Sequence, residues 1–395
     1  MFAVLSTARK SITRATAVLS LLALAACDPS MFPATGGFGG PSINTSKPVP
    51  VALLVPYESA QEADNGMAQS IENAARMAMA DLNGVQIDLR VYPTQGQAEG
   101  AQVAAARAVS EGAKIILGPV YGGSAKLAGL TVKDAGVNVL SFSNNTAIAG
   151  DNVFVLGSTF DNTADRLVRF AATQGKQRIM IVNALSPAET AGAMAIKGAI
   201  ARNGASLAAE QSFELSQEDV FNSVQPIAST VRSTGADAIF FTSGNDGAMP
   251  LFAQMLPEAG IESPAPQYIG LQRLNVPSSA LSLPGLQGSW FAIPDQALAQ
   301  NFSSRYTASY GQAPHALAGY AYDGIAAIGA LVQSGDSQAL TAQALTRGSG
   351  FVGVNGIFRL NSDGTNQRGL AVATIQDNQV VEIDPAPRAF GGAGF

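Results

Sequence analysis

The chain has 395 residues, 47% of them hydrophobic and only 13% charged, with a net charge of −6. Such length and apolar content suit a large folded body, one domain or two lobes, while an acidic balance without any basic run makes nucleic acid and an anionic membrane surface poor partners. One cysteine excludes a disulfide within the chain, so the body must hold together through its core alone.

At the N-terminus, Arg9, Lys10 and Arg14 precede a mostly apolar run from Ala15 to Ala26 that ends in Leu24-Ala25-Ala26-Cys27. Basic start, apolar run and small-residue site are the layout of an export signal. The run is well short of the roughly 20 residues that cross a bilayer. Its ending resembles the bacterial lipobox, which implies cleavage after Ala26 and lipidation of Cys27; two or more acyl chains give a stable membrane anchor. Asp28, next in line, resembles the inner-membrane retention signal of enteric lipoproteins. Residues 1–26 are thus expected to be a lipoprotein signal peptide; they carry three positive and no negative charges, which leaves the remainder at −9. Residues 27–48 are expected to be the lipidated cysteine and a flexible linker, because Gly, Pro, Ser and Asn dominate up to Pro50 without apolar periodicity. Residues 384–395, rich in Gly after Pro387, are expected to form a flexible tail.

Between linker and tail, strands and helices alternate. Val51 to Val55 is a continuous apolar run that suits a strand buried on both faces. Apolar residues at Met67, Ile71, Ala74, Ala75, Ala78, Met79 and Leu82 form a helical stripe, with Glu72 and Arg76 paired at i,i+4 on another face. Ile87–Tyr92 reads as a strand, Ala98–Ser110 as a helix, Lys114–Leu117 as a strand, the segment near Lys126–Asp134 as a helix and Asn138–Ser141 as a strand. The series resumes with strands at Ile179–Val182 and Ala238–Phe241 and helices at Ala191–Ala201, Val220–Ser233 and Ala248–Ala259. Strands separated by helices of this length imply βαβ units and parallel sheets.

An internal echo divides the series. Gly112-Ala113 precedes the strand ending at Leu117-Gly118, and Gly235-Ala236 precedes the strand ending at Phe241. Each glycine suits a left-handed cap on the preceding helix. Two similar α/β lobes follow from the repeat, and loops at the carboxyl ends of their strands would line a cleft.

Several stretches, unspecific singly, form an ordered pattern: Val51 to Pro56, Ala74 to Ala78, Gly112 to Gly118, Ala313-Pro314, Ala321 to Gly324, Gly356 to Leu360 and Asp363-Gly364. From about Val49 to Ile383 this resembles the type I periplasmic-binding fold of leucine- and branched-chain amino-acid-binding proteins. The export signal and the loop Gly118 to Ser124 look most like the penicillin-binding protein activator branch. The resemblance implies two Rossmann-like lobes with parallel sheets, joined by a hinge that the chain crosses three times. The expected crossings lie near Gly157–Phe160, Gly288–Phe291 and Phe358–Gly369. Lobe 1 would then hold about 49–157 and 290–358, and lobe 2 about 160–288 and 369–383.

The resemblance also implies ligand contacts. First-lobe groups would come from Tyr121, Gly122, Gly123 and Ser124 and from Ser143, Asn144 and Asn145; Tyr57 follows the first strand and would reach the cleft. On the second lobe the aromatic residue expected after Ile179–Val182 is missing from Asn183 to Glu189, and the acid that should meet a ligand ammonium falls near Gly247, with Asp246 beside it. Each feature has a plainer reading. Gly118 to Ser124 is equally a tight turn, and lacks the Lys-Ser/Thr of a phosphate loop. Ser143 to Thr146 equally caps backbone groups, and Asp246 equally complements a helix dipole. Trp290, Tyr322 and Asp323 fit core or hinge packing.

Enzyme readings are weak. His315 is the only histidine and suits a solvated or capping role; with no free thiol, no metal site is expected. No Gly-x-Ser-x-Gly elbow occurs, and Glu218-Asp219 suits a helix N-terminus better than acid–base work. Expectation therefore centres on a non-enzymatic, lipid-anchored periplasmic protein without cofactor. It would bind a small molecule of the amino-acid or amide class for an inner-membrane permease; the alternative is a regulator that contacts a peptidoglycan synthase.

Overall fold

The computed structural model describes residues 40–391. The expected signal peptide, Cys27 and residues 28–39 of the expected linker lie outside the described residues.

The first lobe runs β1 (Val49–Val55), α1 (Glu62–Ala80), β2 (Ile87–Pro93), α2 (Ala98–Ser110), β3 (Ile115–Leu117), α3 (Gly122–Val132), β4 (Asn138–Ser141) and β5 (Val153–Val155). Its sheet is parallel, in the order β2-β1-β3-β4-β5. The apolar run in β1 is explained by its two faces. Val51, Leu53 and Val55 join the core under α1, and Ala52 and Leu54 join Ala104, Ala108, Ala128 and Val132 on the other side. Period-2 alternation thus feeds two apolar layers from one strand.

The second lobe runs α4 (Phe160–Thr173), β6 (Arg178–Ala184), α5 (Pro187–Arg202), β7 (Ser206–Phe213), α6 (Gln217–Thr234), β8 (Ala238–Phe241), α7 (Met249–Glu258), β9 (Gln267–Gly270) and β10 (Trp290–Ile293). The chain then forms α8 (Gln296–Tyr310), α9 (Ala318–Val332), α10 (Ala342–Leu345), β11 (Phe351–Gly353), β12 (Gly356–Leu360), β13 (Asn366–Arg368), β14 (Ala371–Gln376) and β15 (Gln379–Asp384). The second sheet has the order β15-β14-β10-β9-β8-β6-β7, with β14 antiparallel to both of its neighbours, β10 and β15, and the other pairs parallel. β6 splits as β1 does: Ile179 and Ile181 face one cluster, Met180 and Val182 the other. The echoed glycines both take left-handed backbone, φ 95° at Gly112 and 61° at Gly235, as a helix-ending residue without Cβ allows.

Three sequence expectations need correction. Trp290–Ile293 pairs with β9 and β14, so the second crossing falls after Ile293, not at Gly288–Phe291. The cause is the run's own apolarity: Phe291 and Ile293 need a sheet interior, and Trp290 stacks edge-on against Phe170 at 4.9 Å. The linker is packed from residue 40 onward. Ile43 is 6% exposed within the first-lobe core, and its N–H donates to the Ser337 carbonyl. The tail is likewise held as far as Phe390: Asp384 pairs with Arg166 at 2.6 Å, Ala386 is buried, and the Arg359 guanidinium lies over Phe390 at 4.6 Å. In all three, one apolar or charged residue finds a distant partner that local composition does not reveal.

β11-β12-β13 forms a small antiparallel sheet whose Phe351, Phe358 and Leu360 join the first-lobe core. β13 is the last element before the return to the second sheet at β14. Among the described residues no helix is long and apolar enough to cross a membrane, and no group of three His, Cys, Asp or Glu could hold a metal ion.

Candidate ligand-binding site

The loops after β3, β4 and β5 meet α9 around a cavity of about 430 Å³. This is the carboxyl edge of a parallel sheet, where open α/β folds place their ligands. Five of the residues singled out in the sequence lie in its wall: Tyr121, Gly122, Ser143, Asn144 and Asn145. Val120, Phe142, Gly157, Ser158, Leu317 and Tyr320 complete it.

The polar wall is built by a relay of short turns. Ser141 Oγ donates to the Pro119 carbonyl at 3.0 Å and accepts the Ser143 N–H at 3.1 Å; Ser143 Oγ accepts the Asn145 N–H at 3.1 Å; Asn145 Oδ1 accepts the Ala147 N–H at 2.9 Å. The capping reading of these residues is therefore correct, and it does not compete with cavity lining: capping is what holds them there. Gly157 is required because a Cβ at that position would sit 2.5 Å from the Ser143 carbonyl oxygen. No side chain caps the start of α3, and Gly122, its first residue, borders the cavity.

Tyr121 stands between this cavity and a second recess of about 470 Å³. Its hydroxyl donates to Asp64, which also accepts Ser59 Oγ at 2.8 Å. Burial, and then the Asp64 hydrogen bond, push the Tyr121 phenol up to about 12. Asp64 thereby fixes the direction of the ring.

The remaining candidates lie elsewhere. Tyr57 donates to Glu72 Oε2 at 2.9 Å and leans on the first-lobe core, off the cavity wall; burial and Glu72 raise its phenol. Ser124 is buried beneath the first turn of α3 and Gly123 is exposed beside it, so neither lines the cavity. Asp246 is exposed and off that wall, and it does not cap α7, whose N-cap is Ala248. The carboxylate beside Gly247 belongs to Glu189, whose Oε1 lies 3.9 Å from where a Gly247 Cβ would be.

Glu189 escaped the sequence reading. It is 8% exposed and accepts from the Ala184 N–H and Thr242 Oγ1, each at 2.8 Å, and from Ser243 Oγ at 2.6 Å. One side chain thus ties the end of β6 to the loop after β8. The available signal was Ser186-Pro187-Ala188-Glu189, a capping-box spacing; Ser186 does accept the Glu189 N–H, but the carboxylate turns to Ala184 instead.

Tyr320 also escaped it. Its ring lines the cavity, its hydroxyl accepts the Ser158 N–H at 3.1 Å, and the Arg368 guanidinium lies 4.7 Å from its centroid. Arg368 pairs with Asp323 at 3.0 Å and donates to the Leu156 carbonyl at 2.9 Å. Complete burial pushes the Asp323 carboxyl upward against the pull of Arg368. Asp323 and Trp290 take the hinge and core roles expected of them. His315 takes its capping role: its Nδ1 accepts the Leu317 N–H at 3.2 Å.

Two α/β lobes joined by three chain segments, with a cavity at the strand ends of the first, define a two-lobe α/β fold. Residues 48–379 match the model of the periplasmic binding protein family, and the chain belongs to that family. Among solved structures it is similar to a putative branched-chain amino acid ABC transporter from Rhodospirillum rubrum, at 16% identity and TM-score 0.73 over 85% of this chain and 100% of that one. It is also similar to an ABC transporter substrate-binding protein from Desulfitobacterium hafniense in complex with Leu, at 18% identity and TM-score 0.63 over 85% and 100%. A third is a solute-binding protein of an ABC transporter from R. palustris in complex with benzoate, at 16% identity and TM-score 0.57 over 88% and 98%. At these identities the likeness is one of fold. No curated protein matches by sequence.

Proposed function

We propose that this chain is a lipid-anchored solute-binding protein of the periplasm. It captures a small ligand of the amino-acid or amide class between its lobes and presents it to an inner-membrane permease. The observation that carries this reading is the cavity of about 430 Å³ at the strand ends, whose lining combines the polar Ser143, Asn144 and Asn145 with Phe142, Leu317 and Tyr320. Few polar groups converging on an apolar wall are what orient and hold a small molecule. The ligand docks on the first lobe, and hinge closure brings the loops after β6, β8 and β9 over it, as in other periplasmic binding proteins. Cys27 supplies the anchor. Leucine and benzoate, recorded with two proteins of this fold, indicate the scale of ligand.

Calorimetry of the full chain against amino acids, their amides and small aromatic acids tests the reading; no heat with any of them would sink it. Fractionated membranes test the anchor: the protein should be membrane-bound, and Cys27→Ser should release it.

One observation favours the alternative, a regulator of peptidoglycan synthesis. The second lobe carries neither an aromatic residue between Asn183 and Glu189 nor, in Asp246, an acid on the cavity wall. Under that reading the purified protein would change the polymerisation rate of its cognate synthase, and an unchanged rate would exclude it.

A further inference from the structure

The recess of about 470 Å³ that shares Tyr121 with the ligand cavity is formed by the loops after β1 and β2. Contacts between those loops fix its shape. The Gln95 N–H donates to the Tyr57 carbonyl at 3.0 Å, and Asn65 Nδ2 donates to the Ser59 carbonyl at 3.0 Å. A Cβ at Gly96 would come within 2.8 Å of Asp64 Oδ2, so the chain passes closely there. Glu58 and Gln95 take left-handed backbone, φ 61° and 57°, a conformation that surrounding contacts must hold in residues other than glycine.

The lining is polar and largely unengaged. The side chains of Gln61, Gln95 and Gln97 and the Glu58 carboxylate make no hydrogen bond or ion pair among the described residues. Gln61 and Gln97 are the N-cap residues of α1 and α2, yet neither side chain caps its helix. Three amides around one recess thus keep both donors and acceptors. Asp64, 9% exposed, is already engaged: Oδ1 accepts the Tyr121 hydroxyl and Oδ2 accepts Ser59 Oγ at 2.8 Å. No Lys or Arg stands in the lining, and Tyr121 is its one aromatic residue.

This chemistry disfavours three classes of ligand. An anion would meet two carboxylates and no cation. An apolar molecule would strip water from the amides and leave them unpaired. A cation would find only Glu58, because both oxygens of Asp64 already accept. A neutral molecule dense in hydroxyls suits the recess, since it donates to and accepts from the amides and offers an apolar ring face to Tyr121.

We propose that this recess binds a saccharide, a neutral sugar ring held by Gln61, Gln95 and Gln97 beside Tyr121. The site lies wholly within the first lobe and needs no hinge closure, so it does not rest on the solute-binding reading.

The test is a saturation-transfer NMR titration of the full chain, in a detergent without sugar headgroups, with D-glucose, anionic D-glucuronate and protonated D-glucosamine. Glucose is expected to bind at millimolar concentration, glucuronate at least about tenfold more weakly, and glucosamine within about threefold of glucose. Gln61→Ala combined with Gln97→Ala should weaken glucose by about tenfold or more, as the loss of two hydrogen bonds implies. Both side chains are exposed and cap nothing, so an unchanged melting temperature should accompany the loss. Should the double variant fail to fold, Gln97→Ala alone reads the same contact with a loss of about threefold or more. No transfer to glucose, a glucose affinity untouched by the glutamine changes, or glucuronate binding as well as glucose would overturn the proposal. Glucosamine binding more than about tenfold tighter than glucose would overturn it too, making the recess a cation site. None of these outcomes bears on the solute-binding reading, which calorimetry with amino acids and amides tests separately.

Discussion

Arg368 and Asp323 meet at 3.0 Å with 2% and 0% of their side chains exposed. Arg368 is the last residue of β13, just before the chain returns to the second lobe, and Asp323 lies in first-lobe helix α9. Asp323 Oδ1 also accepts the Val354 N–H at 2.7 Å, and Arg368 reaches the Leu156 carbonyl just after β5. Four segments, at Leu156, Asp323, Val354 and Arg368, are thereby held at one point beside the hinge. A buried pair of this kind contributes geometry more than net stability, because desolvation offsets much of its attraction.

Removing one partner should expose that balance. Asp323→Asn leaves Arg368 buried without its counter-charge and is expected to destabilise the body by about 3–5 kcal/mol. Replacing both, Asp323→Leu with Arg368→Met, should cost less than the single change. Urea unfolding of the native protein and the two variants measures the difference; equal losses for the single and double changes would show that the pairing is immaterial.

Tyr320 links this pair to the cavity. Tyr320→Phe keeps the ring over Arg368 and loses the hydroxyl that accepts the Ser158 N–H. It should destabilise by about 1 kcal/mol and retain ligand affinity within a few-fold. Tyr320→Ala removes the cavity wall as well and should weaken ligand by tenfold or more. Thermal melts and calorimetry on the two variants check both halves.

Gly157→Ala is expected to damage the site with a single methyl. Its Cβ would approach the Ser143 carbonyl oxygen to 2.5 Å and the Phe142 carbonyl oxygen to 2.9 Å, both backbone atoms. Overpacking against rigid neighbours costs about 1–3 kcal/mol, and the displaced Ser143–Asn145 loop should lose ligand. A melting temperature and an affinity equal to the native protein's would refute the close approach.

Glu189→Gln tests the strut between the end of β6 and the loop after β8. The carboxylate accepts three donors, Ala184 N–H, Thr242 Oγ1 and Ser243 Oγ, and an amide nitrogen can accept none of them. A loss of about 1–3 kcal/mol is expected, with faster amide hydrogen exchange at Ala184 as the local signature.

Tyr121 predicts an alkaline response. Its folded phenol titrates at about 12 against 10.0 for the free group, because burial and the Asp64 hydrogen bond favour the protonated form. A raised value means that its contribution to stability is complete below about pH 10 and is lost as pH rises from there toward 12. Tyr121→Phe should flatten stability over that interval, and absorbance at alkaline pH should show one late-titrating tyrosine disappear.

Local order was legible because it depends on local burial. The spacing of Met67, Ile71, Ala74, Ala75 and Ala78 announces α1, the run Val51–Val55 announces β1, and the glycines before β3 and β8 announce helix ends with positive φ. Five cavity residues followed, since Tyr121, Gly122, Ser143, Asn144 and Asn145 directly succeed strand ends on one edge. Tyr57 followed a strand end too, yet Glu72 draws its hydroxyl away, and Asp246 stands off the wall while Glu189 arrives from another helix.

The amino-acid sequence by itself determined the two-lobe alternation of buried strands and helices, the turns at the strand ends and the expectation of export and lipidation at Cys27. Only the tertiary structure decided that Tyr320 closes a cavity begun at Tyr121, that Trp290–Ile293 belongs to the second sheet, and that Arg368 reaches Asp323. The physical reason is range. Periodicity records which face of one element is buried, a property of adjacent residues. Which loops meet is set by strand order and by a few buried polar contacts between residues far apart in the chain, and no local pattern carries that information.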